Sequence, residues 1–153
     1  MSIKVYIAGP MSNHPQFNIP AFDALAQKLR GVVEGAGPDR AFTVVSPAEL
    51  DGETTRGILL RSTTGSPSDY PPGMTWGDFL SRDVKLISDG GIDAIVVLPG
   101  WETSRGARLE TFVGHLRGCK IVRPEYGYQG NVSLWEVARS HLLKAWEGLD
   151  VFA

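Results

Sequence analysis

The chain has 153 residues, 42% hydrophobic and 21% charged, a balance that supports one folded domain with a real core and excludes a disordered or fibrous protein. Its net charge of −2 comes without a basic block, which argues against binding a nucleic-acid polymer but leaves single nucleosides and nucleotides open as ligands. One cysteine, Cys119, excludes an internal disulfide, the three scattered histidines offer no metal-ligand spacing, and without a signal peptide or long apolar run a cytoplasmic protein with no membrane partner is expected.

Ile3-Lys4-Val5-Tyr6-Ile7-Ala8 is β-rich and stops at Gly9-Pro10, which predicts a first, central strand. The loop from Gly9 to Asn18 collects Gly, Pro, Ser, Asn and His. Asn18 is placed to cap a helix with Pro20 near its start and Phe22, Leu25, Ala26, Leu29 and Val33 at helical spacing, ended by Gly35 and Gly37. Phe42 to Val45 reads as a second strand, closed by Ser46-Pro47. From Leu50 to Thr75 the periodicity dissolves into Gly, Thr, Ser, Pro and Asp, so residues 51–75 read as an insertion or long loop, either a lid or a plain excursion.

Thr75 and Asp78 form a capping pair for a helix whose apolar face carries Trp76, Phe79, Leu80, Val84 and Ile87. Asp83 falls inside that face, where an acid needs a partner, and Arg82 or Arg105 can supply one. Ile92 to Leu98 is the most strand-like run of the chain; a Pro99-Gly100 break follows, and then a helix from about Gly106 to Arg117. Cys119 to Val122 is a short strand, Tyr126 to Asn131 a polar turn, and Ser133 to Trp146 a closing helix. That helix carries Leu134, Trp135, Val137, Ala138, Leu142, Leu143 and Trp146, wider than one buried stripe requires, which suggests a homodimer or higher homo-oligomer.

Strands alternating with helices predict right-handed crossovers and a three-layer α/β domain over residues 1–153. Its parallel sheet of four to five strands takes the flavodoxin-like, Rossmann-like order 2-1-3-4(-5). Strands one and three are then neighbours, and the Gly9 and Gly100 loops face each other at the carboxyl end, where open α/β sheets bind ligands. Glu110, four residues after Gly106, is expected in the first turn or so of its helix, where the dipole favours an anion. Each candidate also has a plain structural role. Glu110 and Ser104 can be helix-start residues, Trp101 a loop plug, Tyr6 a core side chain, His14 an exposed loop residue, and Lys85 and Arg108 solvated helix positions.

Tyr6-Ile7-Ala8-Gly9-Pro10-Met11-Ser12, the helix-borne Arg82-Asp83, and Ser104-x-Gly106-x-x-x-Glu110 together resemble the nucleoside 2-deoxyribosyltransferase superfamily, which includes deoxynucleoside 5′-monophosphate N-glycosidases. Leu98-Pro99-Gly100-Trp101-Glu102 is most similar to its short phage and bacterial members, and the resemblance covers about Ile3 to Val122. It implies an N-glycosidase or deoxyribosyltransferase that acts on a deoxynucleoside or its 5′-monophosphate without metal or organic cofactor. Glu110 would attack the anomeric carbon, Asp83 would assist, and Tyr6 would lie near the sugar. Gly9, Pro10, Met11, Ser12, Ser104 and Gly106 would hold sugar hydroxyls or a phosphate, and Trp101 is a candidate platform for the base. The first loop differs from the Gly-Ser-Ile-Arg-Gly-Gly type of the monophosphate glycosidases in having no arginine, so the phosphate requirement stays open. A non-catalytic nucleotide-binding or sensing module on the same fold, or a purely structural protein, is the alternative.

Overall fold

The structure, a computed structural model, describes residues 3–35, 42–128 and 132–149. Gly37, the Gln129-Gly130-Asn131 end of the expected turn and the side chain of Val33 lie outside the described residues. Strands β1 Ile3–Ala8, β2 Phe42–Val45, β3 Ala94–Val97, β4 Lys120–Tyr126 and β5 Val132–Glu136 form one sheet in the order β2-β1-β3-β4-β5. Pairing is parallel from β2 to β4, and β5 adds an antiparallel edge. Helices α1 Ile19–Gly35, α2 Glu53–Leu60, α3 Trp76–Asp89, α4 Arg105–Leu116 and α5 Arg139–Ala145 cover the two faces, giving the three-layer, Rossmann-like α/β architecture expected from the alternation.

Strand parity divides the core. Side chains alternate faces along a strand, so Val5 and Ile7 of β1 with Ala94 and Val96 of β3 join Phe22, Leu25 and Leu29 of α1. Tyr6 and Ala8 with Ile95 and Val97 join Ile87 of α3, Ala107 of α4 and Leu142 of α5 on the other side. Tyr6 is therefore directed between α3 and α4, the helices that carry Asp83 and Glu110.

Four local expectations are corrected. The closing helix does not begin at Ser133: half-buried Val132 and Leu134 alternate with exposed Ser133 and Trp135 at period two and pair with β4, and only Arg139–Ala145 is helical. Leu134 accordingly packs against the α1-side core, while Trp135 is exposed on the same strand. Residues 51–75 are not a structureless insertion, because α2 forms there despite its weak local signal, with Leu59 buried and Arg56 holding Asp23 and the carbonyl of Ala48. Asn18 does not cap α1 in the expected way: its φ of 59° is left-handed, whereas an N-cap residue is extended, and its side-chain amide donates to Pro10 O at 2.9 Å. Arg108, expected in solvent, donates to the carbonyls of Ala145 and Glu147 and ties α4 to the end of α5.

Gly9 ends β1 where the chain meets β3. A Cβ built there would lie 2.7 Å from Leu98 Cβ, an atom that cannot swing away. Gly9→Ala should therefore destabilise the protein by about 1 to 3 kcal/mol, read as a drop of several degrees in the thermal midpoint. An unchanged midpoint would mean that the β1 and β3 ends are not this tightly packed.

Candidate active site

The carboxyl ends of β1 and β3 lie side by side, with Ala8 opposite Val97. The loops that leave them open a cavity of about 340 Å³, within the range of small-ligand sites. One wall is the β1–α1 loop, from Gly9 to His14 and Phe17; another is the start of α4, Thr103 to Gly106, with Glu110. α3 contributes Trp76, Phe79, Leu80, Arg82 and Asp83, and the segment after β2 contributes Asp51, Leu59 and Tyr70.

Glu110 is buried at the base of this cavity, 6% exposed, where the hydroxyl of Tyr6 donates to its Oε2. It is the sixth residue of α4 and not in the first turn, so the helix dipole does little to hold it ionised. Desolvation wins: burial, reinforced by the charge of Asp83, pushes the Glu110 carboxyl up to about 8, against the opposing Tyr6 hydrogen bond and Arg82 charge. Asp83 is also raised by burial, but Arg82 opposes this through a hydrogen bond from Nε to Oδ1 at 2.9 Å. Tyr6 is raised well above its ordinary value by burial and then by the charges of Glu110 and Asp83, so it keeps its proton and acts as a hydrogen-bond donor. At neutral pH Glu110 is therefore protonated.

Gly106 stands one helical turn before Glu110. A Cβ there would sit 3.6 Å from Glu110 Oε1, so the missing side chain leaves that oxygen open. Ser104 is the N-cap of α4, accepting from Ala107 N at 3.3 Å, and also faces the cavity, so its capping and site roles coexist. Arg105 follows it, with its guanidinium over the ring of Trp76 at 4.7 Å, and makes no ion pair among the described residues. The partner of Asp83 is thus Arg82, not Arg105.

The sequence-derived residues converge, with one exception. Gly9, Pro10, Met11, Ser12, Ser104, Gly106, Asp83 and Glu110 line the cavity, and Tyr6 reaches it through Glu110. Trp101 does not: it is 3% exposed, packed in the core and stacked on His141, because the turn after Gly100 directs its ring down onto α5. Its role is that of a loop plug. His14 is exposed at the cavity wall. Tyr70, Trp76, Phe79, Arg105 and Asp51 were not singled out as ligand contacts, because the two aromatics of α3 read as core and the other three carry no periodic signal. Tyr70 is held by stacking on Phe17 and by an oxygen–oxygen contact of 3.3 Å with Ser12.

The β1–α1 loop is strained. Asn13, Gln16, Phe17 and Asn18 all have left-handed φ, which costs non-glycine residues about 1 kcal/mol or more each. Backbone bonds from Asn13 N to Gly65 O and from Gln16 N to Ser62 O, both 2.8 Å, oppose that cost. They also fasten the 62–70 segment to the loop, making it a fixed wall of the cavity.

The model of a family described as "Domain of unknown function (DUF4406)" matches residues 3–123, which contain every cavity residue named above. No curated protein and no solved structure matches the chain.

The titration of Glu110 has a measurable consequence for stability. Below the unfolded value of 4.5 the carboxyl is protonated in both states. As pH rises towards 8 only the unfolded chain ionises, so stability falls by at most roughly 1.4 kcal/mol per pH unit and levels off above 8. Glu110→Gln lacks this contribution, so the variant's thermal midpoint should gain on the wild type between pH 5 and 8 and hold a constant lead above. A difference independent of pH would contradict a buried, protonated Glu110.

Proposed function

This chain belongs to the DUF4406 family, and we propose that it is an N-glycosidase or deoxyribosyltransferase acting on a deoxynucleoside or deoxynucleoside 5′-monophosphate, with Glu110 as nucleophile. The observation that carries this reading is the buried Glu110–Tyr6 pair beside Asp83, at the base of a cavity at the sheet switch point. The Tyr6…Arg82-Asp83…Ser104-x-Gly106-x-x-x-Glu110 order that resembles the nucleoside 2-deoxyribosyltransferase superfamily supports it. A cavity of about 340 Å³ suits a nucleoside-sized ligand, and Tyr70, Trp76 and Phe79 provide aromatic surface for a base.

In the proposed reaction an ionised Glu110 oxygen bonds to the anomeric carbon as the bond to the base nitrogen breaks. The electron pair leaves with the base, which takes a proton from water, directly or relayed through Asp83. Water, or a second base, then attacks the same carbon and returns Glu110 as a carboxylate, the attacking group's proton passing to Asp83 or solvent. Tyr6 stabilises ionised Glu110 by donating to it. Because Glu110 carries the proton at neutral pH, attack requires its loss. The same protonated carboxyl favours a second reading, a nucleotide-binding or sensing module in which neutral Glu110 donates a hydrogen bond to its ligand.

Incubation with a panel of deoxynucleosides and deoxynucleotides, followed by chromatography for free base, separates the two. The enzyme releases base, whereas saturable binding without release leaves the sensing module. Released base should increase, as kcat/KM, with pH up to about 8; a decrease over that range would exchange the roles of Glu110 and Asp83. Glu110→Gln should lower turnover by several orders of magnitude, on the order of 10³ or more, with ligand binding retained. The defect of Asp83→Asn should shrink with better leaving groups. If a 5′-phosphate is recognised, Arg105, which lines the cavity and makes no ion pair among the described residues, meets it, and Arg105→Ala should raise KM for monophosphates while sparing nucleosides.

Self-association belongs to the same proposal. Of its residues Val137, Leu142 and Trp146 are buried in the core, and Trp135 on β5 and Leu143 on α5 are each 55% exposed. A sedimentation measurement that finds only monomer at tens of micromolar concentration would remove it. Among the described residues no helix is long and apolar enough to cross a membrane, and with Cys119 a buried free thiol a reducing cytoplasm fits this reading.

A further inference from the structure

We propose that Asp51 is a positioning residue of this site: gripping Arg82 from outside α3, it aims Asp83 and shares the Arg82 charge that the carboxyl pair would otherwise receive whole. The inference deepens the glycosidase reading and rests on it for its kinetic part only.

Arg82 and Asp83 are consecutive on α3, and consecutive helical side chains do not face each other. Their ion pair therefore needs something to turn the guanidinium round. Asp51 does this from the connection between β2 and α2: its Oδ1 accepts from Arg82 Nη1 at 2.6 Å, and Pro47 O accepts from Nη2 at 3.4 Å. Nε is left to donate to Asp83 Oδ1 at 2.9 Å. Asp51 is the most deeply buried member of this group, its side chain 5% exposed against 31% for Arg82, and it lines the cavity. Stability alone is a poor reason for such a pair, since a buried ion pair is commonly no better than apolar residues of the same volume.

The charges give Asp51 a second effect. Facing Asp83 and Glu110 are Arg82 from α3, Tyr6 from β1 and Asp51 from the β2–α2 connection, with Arg105 and His14 elsewhere on the cavity wall. One guanidinium serves two carboxylates, Asp51 and Asp83, so Asp83 receives only part of its field. Asp51→Asn keeps an oxygen for Nη1 and removes a negative charge. The apparent titrations of the Asp83–Glu110 pair must then move to lower pH, because an anion that opposed ionisation has gone.

The test uses full-length protein labelled with ¹³C at Asp and Glu carboxyls, with Asp83→Asn and Glu110→Gln for assignment. In Asp51→Asn the midpoints of the pair should fall by about half a unit to one unit, and the kcat/KM profile for base release should move with them. Asp51→Glu keeps the charge and should leave the midpoints near wild type. Asp51→Ala loses the grip as well, and kcat should fall about tenfold or more as Asp83 loses its orientation. If the Asp51→Asn midpoints coincide with wild type, whatever happens to its thermal midpoint, Asp51 is a structural ion pair and the inference fails. If no panel substrate is cleaved, the glycosidase reading fails, yet the carboxyl titrations still decide the case for Asp51.

Discussion

The parallel pairing of β1 with β3 is the constraint on which the site depends. It brings the two loops at their carboxyl ends into contact, with Gly9 against Leu98, and leaves the cavity between them. It also fixes parity: with Val5 and Ile7 committed to the α1 side, Tyr6 can point only towards α3 and α4. A one-residue slip of β1 would exchange the two sets and leave Glu110 without the hydroxyl that meets it. The register of a central strand thus selects which helices share a polar cluster.

Within the cluster, two effects compete for the state of Glu110. A helix N-terminus stabilises an anion only within about the first turn, by roughly 0.3 to 1 kcal/mol at an exposed position. Removal from water opposes ionisation far more strongly, and Glu110 lies beyond that turn and below the surface. Asp83 experiences the same burial but has a guanidinium beside it, so the two carboxyls separate in proton affinity. Glu110 therefore has to give up a proton before it can act as a nucleophile.

The walls explain where the cost of this arrangement is met. The left-handed run from Gln16 to Asn18 is unfavourable by itself and persists because Phe17 is buried against Tyr70, Asn18 holds Pro10, and Ser62 accepts from the backbone of Gln16. Ser62 and Tyr70 belong to the stretch after β2, which also supplies Asp51 to the cavity. Loop, segment and site are therefore one mechanical unit, and a change in any of them reaches the polar cluster.

Period and punctuation in the amino-acid sequence determined the α/β class, the strand order through β4, and the facing of the Gly9 loop by the stretch that holds Ser104, Gly106 and Glu110, because buried strands and amphipathic helices write their burial into a short repeat, whereas Asp83 entered the site only through the resemblance. The same rules failed where the repeat was short or mixed. Val132 to Trp146 fits a helix as well as a strand followed by a helix until β4 supplies an edge to pair with. Trp101 has the same local signal as a plug or as a platform, and its burial in the core, with His141 stacked on it, made it a plug. Asp51 and Tyr70 lie in a stretch with no periodicity, and their meeting with Arg82 and Phe17 is a contact between distant parts of the chain. The ionisation of Glu110 belonged wholly to the tertiary structure, since burial, the reach of Tyr6 and the nearness of Asp83 are set by how the layers close, and no local pattern encodes the water that is excluded.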